Sequence, residues 1–103
     1  MAFVYILRCS DGSFYVGSTT ALPHRLHQHA SGRGAAYTRR RLPVTLVFAH
    51  ECANVAEAVA LEKRIQGWSR AKRLALIEGR FDDLPELSRK RMLPPRADKP
   101  TVD

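Results

Sequence analysis

Acidic residues are scarce in the first half of this 103-residue chain, where residues 1–52 contain only Asp11 and Glu51. The whole sequence carries 17 Lys and Arg against 10 Asp and Glu, which gives a formal net charge of +7. This excess of positive charge favours an anionic partner, and nucleic acid is the first candidate. A basic protein without such a partner is the simpler alternative, which composition alone leaves open.

Long apolar runs are also absent. The longest one near the start spans residues 2–7, far too short for a signal-peptide core or a membrane-spanning helix. The two cysteines, Cys9 and Cys52, lack the close spacing of a metal site and suit a reducing compartment. These features predict a cytoplasmic protein without a membrane partner.

Several common catalytic signatures are missing as well. The chain has no P-loop, no dinucleotide-binding glycine motif and no Gly-x-Ser-x-Gly nucleophile turn. His24, His27 and His29 are close in sequence, but on one helix they do not direct three ligands at one ion. The sequence therefore predicts neither a zinc site nor a small-molecule cofactor.

The patterns that are present predict an α/β domain of the α+β type, a three-stranded, mostly antiparallel sheet flanked by helices in the order β-β-α-β-α-α. Strands are expected at residues 3–9, 14–19 and 44–50. The third is an apolar run, which favours a central or well-buried position. We expect the domain to span residues 1–81, followed by a basic, proline-containing tail at 82–103 that is partly flexible.

Helix ends are indicated by capping residues. Thr20 is a candidate N-cap for a helix over residues 20–31. Asn54, with Glu57 three residues later, forms an approximate capping box for a helix over 55–66. Ser69 is placed to cap a further helix.

In the first helix, two stripes of side chains are expected to have different roles. Arg25 and His29 lie one turn apart and form a neighbouring pair. The other stripe should face the core, and its members are Leu22, Leu26 and Ala30. Residues 31–42, Gly-rich and then strongly basic, are expected to form a loop.

The turn between the first two strands decides whether Tyr5 and Tyr15 share a face of the sheet. A two-residue turn would point the two phenols to opposite faces, because side chains alternate along a strand. A three-residue loop with Gly12 in the left-handed conformation would pair Tyr5 with Gly17 and put both phenols on one face. We favour the second register, since Cys-Ser-Asp-Gly suits a type I turn closed by a left-handed glycine.

Taken separately, these aromatic and charged side chains have ordinary structural explanations. A strand tyrosine usually packs, and a helical arginine or a glutamate beside basic residues is usually solvated or in a surface ion pair. Together, however, Phe3-Val4-Tyr5 and Tyr15-Val16-Gly17 resemble the two motifs of the GIY-YIG endonuclease superfamily. The resemblance covers residues 3–79 and includes the stretches GRGAAYTRRRLPV and ALEKRIQGWSR.

The resemblance implies catalytic roles in phosphodiester hydrolysis. Tyr5 would act as the general base or orient the water, and Tyr15 would lie beside the scissile phosphate. Gly17 would let the backbone pass close, and Arg25 would stabilise the charge of the phosphorane. Two departures stand out: Phe3 replaces the glycine of the first motif, and Ser18 replaces a lysine of the excision-repair branch.

Further along the chain, His29 matches a position that is His in some branches and Tyr in others, and Glu62 matches the carboxylate that binds the divalent metal, Mg²⁺ or Mn²⁺. A phenol with a pKa near 10 needs such a cation or other positive charge to act as a base at neutral pH. The residues expected to contact the substrate are Gly17, Ser18, Thr19, Tyr37, Arg39, Arg40 and Arg41.

The leading hypothesis is a metal-dependent DNA endonuclease of low or structure-based sequence specificity, with DNA repair or recombination as candidate pathways. It would hydrolyse DNA with one metal ion and without a covalent enzyme intermediate. One alternative is a nucleic-acid-binding protein on the same fold with little or no catalysis. Another is a small-molecule or protein-interaction module whose charge is incidental.

Overall fold

The computed structural model describes residues 1–80 and has an α+β fold. One antiparallel sheet in the spatial order β2-β1-β3 is formed by β1 (Ala2–Arg8), β2 (Phe14–Thr19) and β3 (Thr45–Cys52). The helices are α1 (Leu22–Ala30), α2 (Ala36–Arg39), α3 (Val55–Gln66) and α4 (Arg70–Ile77). The predicted fold class is confirmed, and α2 is a short addition within the segment predicted as a loop.

The chain divides into two compact units, residues 1–67 and a second unit that begins at Trp68. The second contains α4, where Ser69 accepts a hydrogen bond from the backbone N–H of Lys72 at 3.3 Å, as predicted for an N-cap. Within residues 1–80, no helix has the length and apolar character needed to cross a membrane. The predicted tail at 82–103, and the end of the predicted domain at residue 81, lie outside the described residues.

The β1–β2 hairpin has the three-residue loop that we expected. Gly12 adopts φ +84° and donates its N–H to the carbonyl of Cys9 at 2.9 Å. The positive φ is a conformation that residues with a Cβ rarely adopt, which explains the glycine. Tyr5 therefore pairs with Gly17 and Leu7 with Tyr15, so that both tyrosines lie on the same face of the sheet.

The prediction that the third strand is central is wrong. β1 occupies the centre with a hydrogen-bonded neighbour on each side, and its Val4 and Ile6 are both 0% exposed. Among the described strands, β3 pairs with β1 alone, and its Leu46 is 40% exposed. Both strands have apolar sequences, and an apolar run does not by itself distinguish a central strand from an edge strand.

Helix α3 packs against the sheet through Ala58, Leu61 and Ile65, all buried. Its start matches the prediction, because Asn54 accepts a hydrogen bond from the N–H of Glu57 at 2.9 Å. The glutamate accepts in return from the N–H of Ala53 at 3.2 Å, one residue before the cap. The packing fixes the rotation of α3 and thereby the direction of the polar residues beside its buried stripe.

Helix α1 differs from the prediction at both the cap and the core face. Its N-cap is Ala21, without a side-chain hydrogen bond, so the prediction that Thr20 caps the helix is wrong. Ala30, expected in the core, is exposed, whereas His29 is 0% exposed and is the buried residue of this helix. Burial of a polar ring is possible here because both ring nitrogens have partners, as described next.

Candidate active site

Three of the predicted catalytic residues form a compact aromatic cluster. The ring centroids of Tyr5 and Tyr15 are 6.4 Å apart, and the ring of His29 lies 5.7 Å from the first and 5.2 Å from the second. The Tyr5 hydroxyl is hydrogen-bonded to Nε2 of His29 at 2.8 Å. The other ring nitrogen, Nδ1, is hydrogen-bonded to the hydroxyl of Thr38 at 2.8 Å. β1, β2 and α1 each contribute one ring of this cluster, and α2 contributes Thr38.

Gly17 leaves the space that the two phenols occupy. A Cβ at this position would lie 2.6 Å from the Tyr5 hydroxyl oxygen and 3.0 Å from Cε2 of Tyr15. Distances this short are incompatible with any residue other than glycine unless the tyrosines move. Gly17, which we predicted opposite Tyr5, is therefore required because the Tyr5 side chain fills the space that a Cβ would need.

Burial and a neighbouring charge shape the acid–base properties of the cluster. Burial lowers the pKa of His29 to about 4, and the positive charge of Arg25 acts in the same direction. Burial raises the pKa of Tyr5 above its ordinary value, while a hydrogen bond from Arg25 opposes that rise. At neutral pH the imidazole is therefore neutral and the phenol keeps its proton.

The lowered pKa of His29 predicts a loss of stability in mild acid. The unfolded chain has a histidine pKa of about 6.5, so between about pH 6.5 and 4 it binds more protons than the native state. The free energy of unfolding should therefore fall as the pH drops through this window, by about 3 kcal/mol in total. Chemical denaturation at a series of pH values measures this change.

The control for that measurement is His27→Gln, which removes an exposed histidine from the same helix and should leave the pH dependence intact.

Asp11 affects the free energy of unfolding in a different pH range. Its pKa is lowered by hydrogen bonds from Ser13 and by Arg41, so its stabilisation is lost only below about pH 4. A free energy of unfolding that stays constant between pH 6.5 and 4.5 would contradict a buried, neutral His29.

Arg25 lies at the edge of the cluster on α1. Its guanidinium acts on both Tyr5 and His29, and its Nη1 donates to Oε1 of Gln28 at 3.0 Å. The side chain is half-buried, so it combines contact with the phenol and access to solvent. A phosphate at this edge would meet a planar cation that can donate two parallel hydrogen bonds.

Glu62 is held by a residue on each side. Ser18 donates its hydroxyl to Oε1 at 2.6 Å, and Gln66 donates its amide to Oε2 at 2.9 Å. The carboxylate is half-buried, and its negative charge acts on Tyr5, whose pKa it raises. Glu62 is therefore brought together with the aromatic cluster, and Ser18 is engaged by the carboxylate.

A divalent cation bound beside the aromatic cluster would find one carboxylate ligand there, that of Glu62. Within residues 1–80 no group of three or more His, Cys, Asp or Glu side chains is arranged to hold a metal ion. Each carboxylate oxygen accepts one of the two hydrogen bonds described above and has a second lone pair. Mg²⁺ commonly uses one or two carboxylates and fills its remaining positions with water and substrate oxygens, so this donor set fits it.

The short helix α2 is anchored to the hairpin turn by Arg41. This guanidinium donates to Oδ2 of Asp11 at 3.0 Å and to the carbonyl of Tyr37 at 2.9 Å. It also lies 3.8 Å from the centroid of the Tyr37 ring, whose other neighbour is Tyr15 at 6.1 Å in a stacked arrangement. Stacking of a base on Tyr37 would therefore require Arg41 to move away.

The remaining residues predicted to contact the substrate lie at the surface around this cluster. Arg39 and Arg40 are exposed at the end of α2. Thr19, at the end of β2, accepts a hydrogen bond from the N–H of Ala21 at 3.1 Å and so supports the start of α1. The two arginines are thus presented to solvent next to Thr38 in the chain, whereas Thr19 has a local structural contact.

Sequence reasoning missed three residues that hold the cluster: Thr38, Gly34 and Gln66. Thr38 is 0% exposed and bonded to His29, although it lies in a segment predicted as a basic loop. A Cβ on Gly34 would overlap Nδ1 of His29. The glycines of this loop were the available signal, since a conformationally costly residue often marks a close approach.

Comparison with known proteins identifies the family that this chain resembles. The GIY-YIG catalytic domain family model matches residues 1–75. A UPF0213 protein of Bacillus pumilus is 48% identical over 77 residues, which cover 74% of this chain and 78% of the relative. For a UPF0213 protein of Halobacterium salinarum the identity is 45% over 76 residues, with 74% and 99% covered.

Among solved structures, the solution NMR structure of a UPF0213 protein from Bacillus halodurans is similar to this chain with a TM-score of 0.51 and 40% sequence identity. The match covers 85% of this chain and 98% of that one. The family-model match includes every residue of the candidate site.

Proposed function

The chain belongs to the GIY-YIG catalytic domain family, a family of nucleases, and from that premise we propose that it is a metal-dependent endonuclease that hydrolyses DNA. The proposal includes low or structure-based sequence specificity, and DNA repair or recombination as the process it serves. The proposal also includes a cytoplasmic location, where a bacterial protein would meet DNA.

The observation that carries the proposal is the hydrogen bond between the Tyr5 hydroxyl and Nε2 of neutral His29. Water attacks a phosphodiester only after losing a proton, and a phenolate oxygen can take that proton. The phenol becomes a phenolate by giving its own proton to Nε2 of His29. In the free protein the two pKa values oppose this transfer, so it becomes favourable only as substrate and cation enter the site.

The two charged residues of the site support the same step. Burial is the main cause of the lowered pKa of His29, and the charge of Arg25 adds to it; a phosphate beside Arg25 would offset that charge and make the imidazole a better proton acceptor. Arg25 would also stabilise the negative charge that develops on the phosphorane. Glu62 would hold the divalent cation, Mg²⁺ or Mn²⁺, which supplies Lewis-acid activation and stabilises the leaving oxygen.

The charge distribution supports DNA as the substrate. The formal net charge is +7, and the surface around the cluster carries Arg33, Arg39 and Arg40, all exposed. Contacts to a phosphate backbone release counterions, so binding should weaken steeply as salt rises. Arginines that contact phosphates position the duplex without reading its sequence, and contacts of that kind would agree with the proposed low sequence specificity.

One observation favours the second candidate, DNA binding without cleavage. Tyr5 is only 1% exposed, so little of its hydroxyl is open to a water molecule or a phosphate in this conformation. Catalysis would require the groups packed around this hydroxyl to move slightly. A binding protein would need no such movement.

The experiment that separates the candidates incubates the full chain with single-stranded, duplex and branched DNA. Reactions contain Mg²⁺, Mn²⁺ or a chelator, and binding is measured in parallel over a range of salt. We expect metal-dependent cleavage of at least one substrate, no cleavage in chelator, and salt-sensitive binding. Binding without cleavage would support the second candidate, and absence of binding at low salt would support an interaction module instead.

A further inference from the structure

The hydroxyl of Thr38 determines the direction of the buried hydrogen bonds. Its Oγ1 lies 3.0 Å from the carbonyl oxygen of Ala35 and 2.8 Å from Nδ1 of His29. A backbone carbonyl can only accept, so in the hydrogen bond to Ala35 it is Thr38 that donates its single hydroxyl proton. Towards His29 the same oxygen must accept, which requires the proton of the ring to lie on Nδ1.

The position of the ring proton also determines the hydrogen-bonding role of Nε2. A neutral imidazole carries one N–H, so protonation of Nδ1 makes Nε2 an acceptor. The Tyr5 hydroxyl, 2.8 Å from Nε2, is therefore the donor. The four groups form a chain with one direction, from the phenol through His29 and Thr38 to the carbonyl of Ala35.

The packing around Nδ1 is tight. His29 and Thr38 are both 0% exposed. A Cβ on Gly34 would overlap Nδ1 and lie 2.9 Å from both Cε1 and Cγ of the ring, so the backbone at this position contacts the imidazole directly. This contact reduces the space for a water molecule beside Nδ1. The partner of Nδ1 is therefore Thr38, and the tautomer of the ring depends on that residue.

We propose that Thr38 is a positioning residue that holds His29 in the Nδ1–H tautomer, so that Nε2 can receive the proton of Tyr5 during phosphodiester hydrolysis. The opposite tautomer would direct an N–H at the phenol and block that transfer. The role in hydrolysis rests on the proposed function, whereas the tautomer itself does not.

Hydrolysis in this scheme involves two proton transfers at Tyr5, one new P–O bond and one broken P–O bond. Tyr5 gives its proton to Nε2 and takes one from the attacking water, whose oxygen bonds to phosphorus. The P–O bond to the leaving nucleoside breaks. The departing oxygen takes a proton from solvent, to which His29 returns the proton it accepted.

The test compares Thr38→Val, which keeps the shape but removes the hydroxyl, with Thr38→Ser, which keeps the hydroxyl. Histidine-ring ¹⁵N spectra of the full chain report the tautomer, with the His29 signals assigned by their loss in His29→Gln. We expect protonated Nδ1 and unprotonated Nε2 in the wild type and in Thr38→Ser, and loss of that preference in Thr38→Val. The valine variant should also lose kcat about 10–100-fold, with KM and DNA affinity unchanged.

Three results would overturn the proposal: an Nε2–H tautomer in the wild type, an Nδ1–H tautomer retained in Thr38→Val, or a serine variant as impaired in kcat as the valine variant. The wild-type spectrum decides the tautomer even if the valine variant fails to fold. A wild type that cleaves no DNA would remove the proposed function, and the ring spectra would still decide which tautomer Thr38 selects.

Discussion

Replacing Tyr5 with phenylalanine is expected to lower kcat for DNA cleavage about 10²–10⁴-fold, the usual contribution of general acid–base catalysis. The variant lacks the oxygen that would take the proton from water, but it retains the ring that packs against Tyr15 and Gly17. DNA affinity should remain unchanged, because a residue that is 1% exposed offers little surface to the DNA. Single-turnover cleavage and equilibrium binding measure the two effects separately.

The same substitution has a predictable effect on stability. Nε2 of His29 loses its hydrogen-bond donor in a buried position, which costs about 1–3 kcal/mol. Thermal unfolding therefore has to show a folded variant at the assay temperature before the loss of cleavage is interpreted. Cleavage at the wild-type rate by a folded Tyr5→Phe protein would leave Tyr5 with a packing role only.

Replacing Glu62 with glutamine should be equally damaging to cleavage, with a loss of about a thousand-fold. Removing the carboxylate removes the anionic ligand of the divalent cation, and metal stabilisation of the transition state is worth several kcal/mol. The local structure should tolerate the change. The new amide can donate to the Ser18 hydroxyl, which can also accept, while its oxygen still accepts from Gln66.

The matched control is Glu57→Gln, which makes the same chemical change on the same helix, at an exposed position near its N-terminus. The control should retain cleavage and show only a small change in stability, since the new side chain can still accept from the N–H of Ala53. Equal rates for the two variants would remove Glu62 from the proposed metal site.

The features that could be predicted from sequence are local ones. A left-handed glycine at residue 12 set the hairpin register, and with it the shared face of Tyr5 and Tyr15. Asn54 and Ser69 marked helix starts because their side chains accept from backbone N–H groups three residues on. Each of these signals depends on a few neighbouring residues whose geometry is fixed by the chain itself.

The features that could not be predicted depend on contacts between distant segments. His29 was expected on a stripe away from the core, yet hydrogen bonds to Tyr5 and Thr38 permit its complete burial. Arg41 contacts Asp11, thirty residues earlier in the chain, and no local pattern relates these two positions. Helix α2 is four residues long, too short to show a helical repeat in the sequence.

The central claim is that Tyr5 and Glu62 serve one chemical step at one site, and a double-variant cycle tests it most directly. Single-turnover cleavage rates in Mg²⁺ are measured for the wild type, Tyr5→Phe, Glu62→Gln and the protein with both substitutions. Residues that act as a unit are strongly non-additive, so the double variant should cleave about as slowly as the slower single variant. The claim would be contradicted if the fold-loss in rate of the double variant equalled the product of the two single fold-losses. Single variants as active as the wild type, or a wild type without Mg²⁺-dependent cleavage, would contradict it as well.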